Sequence, residues 1–456
     1  MTGTRGRRGG TGKSGRVAVL IACLVAGSRP AAAQALTQRG FVEGTAFLFP
    51  QRAPNDSTRG VGDFLAREEV FFKAAPWIQF AGGVDLRANS HDQVDDRWRL
   101  DLDDRGVKRP RVSLRRLTAT LTHGSLTIDA GKQFIRWGKA DIINPTDRFA
   151  ARDFINVVDT EFLAVTGVRA VALHGAETFE VVWVPRLTPS RIPLLDQRWT
   201  AVSAAAATVP LVDEGSAAPA GASTGLRWGH AGAGFEYSLS FFNGFNYLPN
   251  IAATTTFNAG PAELAEKPDS ALSAGSALIV VNRTYPAIRT YGADAAIPTR
   301  WFTIKGEAAY FTSRQTDAVA AADLSRQSAK GATADDYVLY VVQLERQTGE
   351  WVIVGGYAGE AITVRRSSLS FAPDRGMTRS IVGRASYTID PVRTLAFETA
   401  VRQNGDGFYG KVEYSQARGQ HWRATVTGVG ISGHSGDFLG QYHRNSHLAV
   451  VLRYSF

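Results

Sequence analysis

The chain has 456 residues, a formal net charge of +9 and one cysteine. Six Lys/Arg and no acidic residue fall within residues 1–33, leaving about +3 spread thinly over the remainder, which argues against an electrostatic nucleic-acid binder. Cys23 lies in that same stretch, so the rest of the chain offers no disulfide framework, no thiolate chemistry and no cysteine metal site.

In chain order the first element is a leader. Arg5, Arg7, Arg8, Lys13 and Arg16 form a basic region, and Val17–Ala26 an apolar one too short to span a bilayer. Ala31–Ala33 supplies the small residues of a cleavage site. Residues 1–33 are expected to be a cleaved signal peptide, and residues 34–456 one barrel domain. "GGTGKS" at Gly9–Ser14 has the look of a phosphate loop, yet the glycine required five residues before Gly12 is Arg7.

Beyond Gln34 no run of 18 apolar residues occurs, which excludes a helical membrane protein. Short alternating segments recur instead. In "GFEYSLSF", Phe235, Tyr237, Leu239 and Phe241 oppose Glu236, Ser238 and Ser240. In "WFTIKGEAAY", Phe302, Ile304, Ala308 and Tyr310 oppose Lys305 and Glu307; in "TLAFETAVRQ", Leu395, Phe397 and Val401 oppose Glu398 and Arg402. "SHLAVVLRYSF" sets Leu448, Val450, Leu452, Tyr454 and Phe456 against Val451 and Arg453. One apolar face and one fully charged face per strand is the pattern of a transmembrane β-barrel, apolar toward lipid and polar toward the lumen. Lys305, Glu307, Glu398, Arg402, Lys411, Glu413 and Arg453 are the expected lumen-lining charges.

Connection lengths fix the strand number. Tight turns are expected near Ala75-Pro76, His123-Gly124, His174-Gly175, Gly229-His230, Pro298-Thr299, Thr348-Gly349, Asp390-Pro391 and Arg418-Gly419. Longer polar connections alternate with them, near 50–67, 88–110, 138–165, 186–222, 243–286, 313–335, 361–378, 403–407 and 431–446. Short turns at one rim and long loops at the other predict an antiparallel barrel of 16–18 strands, 18 on this count, with periplasmic turns and extracellular loops. Trp77, Trp228, Trp301, Trp351 and Trp422 each lie beside a predicted turn, as an interfacial aromatic girdle requires.

One segment breaks the alternation: "GKQFIRWGKADIINPTDRFAARDF", Gly131–Phe154. Asn144-Pro145 starts a turn and Asp147 caps the residues after it. Lys132, Arg136, Trp137, Lys139, Asp141, Asn144, Asp147, Arg152 and Asp153 are the candidate constriction residues, because charges of both signs set a transverse field across a pore. An outward loop whose ion pairs only brace the barrel is the alternative. His434, Ser435 and Asp437 have the residue types of a hydrolase, but their closeness in one loop is no evidence for a triad. No metal-ligand spacing and no cofactor motif appears, and no catalytic residue is assigned.

The segment also carries a resemblance. Gln-x-x-x-Trp-Gly-x-x-Asp, Asn-Pro-x-Asp and Arg-Asp, here Gln133–Asp153, resemble the motif of a large family of Gram-negative outer-membrane proteins known only as a domain of unknown function. "SFFNGFNYLP", "YPAIRTYGAD" and "FLGQYHRNSHLAVVLRYSF" are similar to further blocks of it. Where relatives often have Pro-Arg-Asp, this chain has Ala151-Arg152-Asp153. The terminal strand, with Tyr454 and Phe456, resembles the signal read by the barrel-assembly machinery.

The resemblance implies a porin-like barrel in outer-membrane lipid, with its third outer loop folded inward as in general porins, passing small polar or charged solutes. General porins are often homotrimers, and no interface signal is visible in this sequence. A plugged barrel moving lipid-like cargo with envelope partners is the rival expectation, and an outer-membrane hydrolase the third.

Overall fold

Residues that alternate apolar and polar with period two can satisfy every backbone group only by pairing with neighbours on both sides, and a closed sheet has no edge left to satisfy. The computed structural model describes residues 36–201, 209–257, 277–313, 335–365, 369–405 and 407–456, and in it the chain forms a closed antiparallel barrel of 18 strands. The leader expected at residues 1–33 lies outside the described residues.

The first strands are β1 (Leu36–Leu48), β2 (Gly60–Ala75), β3 (Ile78–Asn89), β4 (Val112–His123), β5 (Leu126–Gln133) and β6 (Val165–His174). Next come β7 (Glu177–Val184), β8 (Ser223–Gly232), β9 (Phe235–Phe245), β10 (Ala287–Pro298), β11 (Thr303–Ser313) and β12 (Asp336–Thr348). The last six are β13 (Trp351–Val364), β14 (Ser380–Asp390), β15 (Arg393–Arg402), β16 (Gly407–Arg418), β17 (Trp422–Gly433) and β18 (His447–Ser455). Each pairs with its sequence neighbours, and β18 closes on β1 in a register from Phe41 opposite Ser455 to Leu48 opposite Leu448. Backbone bonds between Gly40 and Phe456 extend that seam.

Burial follows the alternation. On β18, Leu448, Val450 and Leu452 are 41–51% exposed, whereas Ala449 is buried. On β7, Phe179, Val181 and Trp183 face outward while Glu180, Val182 and Val184 are buried inside. Tight turns occupy one rim, and every long connection the other. The four-residue link between β15 and β16 is the short outer loop expected, which makes the count 18 rather than 16.

One turn moves. The β8–β9 hairpin turns at Ala233-Gly234, not at Gly229-His230. Ala231 and Gly232 offer no outward apolar signal, yet they still pair with Glu236 and Phe235, and the tight turn falls where Gly234 takes φ 111°. Trp228 therefore sits within β8, where its indole N–H donates to Glu177 at 2.5 Å.

Outside the barrel sheet, Leu211–Ala217, Ala277–Thr284, Asn250–Phe257 and Leu369–Ser370 form a small sheet in the outer loops. Arg283 binds Asp213 across it. No described helix is long and apolar enough to cross a membrane.

Candidate functional site

The connection between β5 and β6, residues 134–164, lies inside the barrel. From β5 it runs along the inner faces of β8–β13, returns across the lumen near residues 155–159, and reaches β2–β4 at Glu161.

Its first part is a knot tied by its own motif. The Asp147 carboxylate accepts from the backbone N–H groups of Trp137 and Gly138, the latter at 2.7 Å. The Asn144 amide donates to the Ala140 carbonyl and accepts from Arg152 at 3.3 Å. Motif residues thus satisfy a backbone that belongs to no strand and is buried away from water.

Barrel side chains then hold the knot. Glu307 on β11 accepts from Lys139 N at 2.9 Å, Ala140 N at 3.1 Å, Thr146 N at 2.9 Å and the Thr146 hydroxyl at 2.8 Å. Gln343 on β12 accepts from Asp141 N at 2.8 Å and donates to the Asp141 carboxylate at 2.6 Å. The Trp137 indole donates to Glu180 at 2.7 Å, and its ring meets Phe149 edge-on at 5.2 Å. Trp137 and Phe149 fit because residue 225 on β8 is glycine: a Cβ there would stand 2.4 Å from the Trp137 ring and 2.6 Å from Phe149.

On the other flank the contacts are ionic. Glu161 is gripped by Arg67, by Arg87 at 2.5 Å and by Arg115 at 2.8 Å. Asp85 shares Arg67 at 2.7 Å. Asp153 takes Arg109 at 2.9 and 3.0 Å and Arg191 at 3.3 Å. Burial alone would raise both carboxyls; for Glu161 the guanidiniums of Arg87, Arg67 and Arg115 overcome this, and for Asp153 those of Arg109 and Arg191, so both stay below the usual carboxylate range.

The candidate constriction residues therefore divide. Lys132, Trp137, Asn144, Asp147 and Asp153 are buried and hold the segment rather than face a passage. Lys132, for instance, is spent on Asp104 at 2.6 Å and the Leu102 carbonyl at 2.9 Å. Arg136, Lys139, Asp141 and Arg152 keep part of their surface open. Arg136 lies over the Phe162 ring at 4.4 Å, and Lys139 reaches Glu236 at 2.8 Å.

The expected lining charges divide too. Glu307 points inward, but the knot covers it. Lys305 bridges Asp141 at 3.1 Å and Glu345 at 2.7 Å. Arg402 is held by Asp437 at 2.8 Å, which engages the carboxylate of the "GHSGDF" loop. Lys411 lies 3.2 Å from Glu413, and Arg453 pairs with Glu43 at 2.5 Å.

Sequence reasoning missed the arginine cluster and the second in-folded stretch. Arg67, Arg87 and Arg115 stand at inward positions of β2–β4, and a β-bulge at Gly83-Val84 turns both Arg115 and Arg116 away from strict alternation. Charged residues at inward positions on successive strands were the available signal. The stretch 185–201 also folds in, with Arg191, Leu194 and Trp199 buried and Arg198 stacked 3.7 Å from Phe49. Its composition, rich in Pro and Leu, gave no pattern that distinguishes inward from outward.

Two cavities flank the segment on the β13–β18 side. One, of about 730 Å³, opens toward the long loops between Trp199, Tyr442, Phe371, Glu360, Arg375 and Arg402. The other, of about 330 Å³, opens toward the turns between Glu43, Asp159, Lys411, Glu413, Arg423 and Arg453.

This architecture is that of solved barrels. Acinetobacter baumannii OccAB4 superposes with a TM-score of 0.52 over 94% of this chain and 100% of its own, at 11% identity. Pseudomonas aeruginosa OccK5 (OpdH) gives 0.51 over 93% and 99% at 7% identity, and A. baumannii OccAB1 0.51 over 92% and 95% at 9% identity. The chain shares their fold. No protein-family model and no curated protein matches it.

Proposed function

We propose that this protein is an outer-membrane channel through which small solutes pass by diffusion, with the 134–164 segment as its constriction. The observation that carries the reading is the segment's course: it crosses the lumen, is pinned at Glu307, Gln343 and the Glu161 arginines, and leaves cavities toward both rims on one side. A barrel of 18 strands encloses more space than its wall residues fill, so the segment that crosses the lumen sets which solutes can pass. The apolar outer belt, the tight turns at one rim and the fold shared with the Occ porins support the outer membrane as its site. The resemblance of the Gln133–Asp153 motif to a Gram-negative outer-membrane family agrees with this.

Flux into proteoliposomes tests the reading. Vesicles carrying the folded barrel should take up small polar solutes faster than protein-free vesicles. Rates no higher than those of protein-free vesicles across a panel of neutral, cationic and anionic solutes would sink it.

A further inference from the structure

On β14–β17 the inward residues form straight rows across the four strands. Val382, Ala400, Tyr409 and Ile431 stand opposite one another in register, all buried and all apolar apart from the Tyr409 hydroxyl. The next inward row toward the turns is Arg384, Glu398, Lys411 and Val429, and the row after it Ser386, Ala396, Glu413 and Thr427. On the outer side the same strands give Ser380 and Arg402. One apolar row is thus set between charged ones.

Four separate segments cover that row, one of them the β13–β14 loop through Met377. Ile142, Val157 and Val158 come from the 134–164 segment, Trp199 from the 185–201 stretch, and Phe438, Leu439 and Tyr442 from the β17–β18 loop. Trp199 and Tyr442 meet at 5.6 Å between ring centroids, and Phe438 and Tyr442 edge-on at 5.8 Å. The row also separates the two cavities. Along β15, Thr394 lines the turn-side cavity, Arg402 lines the outer one, and Ala400 lies between; among the described residues none lines both.

We infer that solutes cross the barrel through this apolar seam, so that the channel favours amphipathic solutes, a ring-sized apolar body carrying a polar group, over hydrated ions and purely polar molecules of equal or smaller size. The inference rests on the channel reading above. A hydrated ion entering the seam must shed water with little beyond tyrosine hydroxyls to replace it, and an apolar constriction gates by dewetting. An apolar ring instead exchanges one set of dispersion contacts for another as Trp199 or Tyr442 gives way. Around the outer cavity Arg375 is spent on Glu360 and on Asp335 at 3.0 Å and Arg402 on Asp437, while Arg365 and Arg379 also line it, so a neutral probe is used to isolate the apolar contribution. The seam parts more readily than the opposite side because the segment meets this wall through aliphatic side chains.

Glucose and phenyl β-glucoside share the same sugar and differ by one apolar ring on its anomeric oxygen. Uptake of the two is compared in proteoliposomes carrying the wild type, Trp199→Ala and Val382→Thr, beside planar-bilayer conductance in KCl. Val382→Thr wets the row with almost no change of shape, and heat-dependent migration on gels verifies that each barrel is folded. The wild type should admit phenyl glucoside several-fold faster than glucose, with ion current about tenfold below that of Trp199→Ala. Both variants should narrow the sugar ratio. A wild type that admits glucose faster, or a ratio unmoved in both folded variants, overturns the seam while leaving the channel. Uptake of neither sugar above protein-free vesicles, with no current in any variant, overturns the channel reading and the seam with it.

Discussion

The inner faces of β8–β12 and of β14–β17 come from the same alternation, yet they treat the in-folded segment differently. Against β8–β12 the segment is both packed and hydrogen-bonded. Trp137 and Phe149 bury among Phe242, Ile288 and Phe311, while Glu307 and Gln343 take up its backbone N–H groups. Against β14–β17 it offers Ile142, Val157 and Val158 to one apolar row, with a cavity on either side. Non-repetitive backbone can be buried only where polar partners satisfy it, so the face that supplies carboxylate and amide acceptors becomes the fixed wall. The face that supplies only dispersion contacts is left as the one that can part.

The strongest way to break this contrast is to remove Glu307. Glu307→Ala strands three backbone N–H groups and a hydroxyl, a loss of roughly 3 kcal/mol or more at this contact. The 137–147 stretch of the folded barrel should become open to protease, and KCl conductance should rise well above the wild type. Glu307→Gln, which keeps one acceptor oxygen, should fall between. If Glu307→Ala is as protease-resistant as the wild type, β8–β12 is not the anchoring wall.

Next in size is Glu161, which ties the segment to β2–β4. Glu161→Gln removes the charge shared by Arg67, Arg87 and Arg115 and weakens their hydrogen bonds at a partly exposed carboxylate, costing roughly 1–3 kcal/mol locally. Reversal potentials should shift toward anion selectivity. The folded carboxyl sits below its ordinary value, so the stabilisation is complete above that value and is lost as pH falls through the folded one. The Glu161 contribution to selectivity should therefore hold steady from about pH 8 to about pH 5 and change only in stronger acid. A shift between pH 7 and pH 5 that Glu161→Gln abolishes would show that Glu161 is not held by these arginines.

Much of the barrel was legible because strand alternation and turn spacing are local properties. Nine loops and eight turns could be counted from Pro, Gly, Asn and Asp positions, and only the β8–β9 turn moved, where Ala231 and Gly232 carry no pattern. The site was less legible because its contacts are long-range. That "WGKADIINPTD" is a special segment could be read from its composition; that Asp147 caps Trp137 and Gly138 could not. Glu307 reads as one more lumen charge until the knot that covers it is seen 161–168 residues away in sequence. The 185–201 stretch has no period at all, so nothing local betrays Trp199 as a lumen residue.

A smaller effect tests the knot itself. A Cβ on Gly138 would stand 2.6 Å from Asn144 Cβ, on the short arm between the two Asp147 hydrogen bonds and the Glu307 ones. Gly138→Ala should cost roughly 1–3 kcal/mol by overpacking and loosen the 137–147 stretch less than Glu307→Ala does. Protease sensitivity equal to that of Glu307→Ala would mean that the knot, rather than its anchor, carries the wall.

The smallest effect is expected outside the barrel, and it sharpens the contrast by matching the two faces. Trp301 stands at the turn between β10 and β11, behind the anchored face; Trp422 stands at the turn between β16 and β17, behind the parting one. Both are exposed at the rim, Trp301 beside Arg300 and Trp422 tilted against Tyr454 at 5.0 Å between ring centroids. Neither ring reaches the lumen, so Trp301→Ala and Trp422→Ala should each cost about 1 kcal/mol or less of barrel stability, and to similar extents. Solute flux should be unchanged in both. If Trp422→Ala alone alters flux, the β14–β17 wall moves as a whole when solute passes, and the difference between the faces lies in the strands rather than in the side chains that cover them.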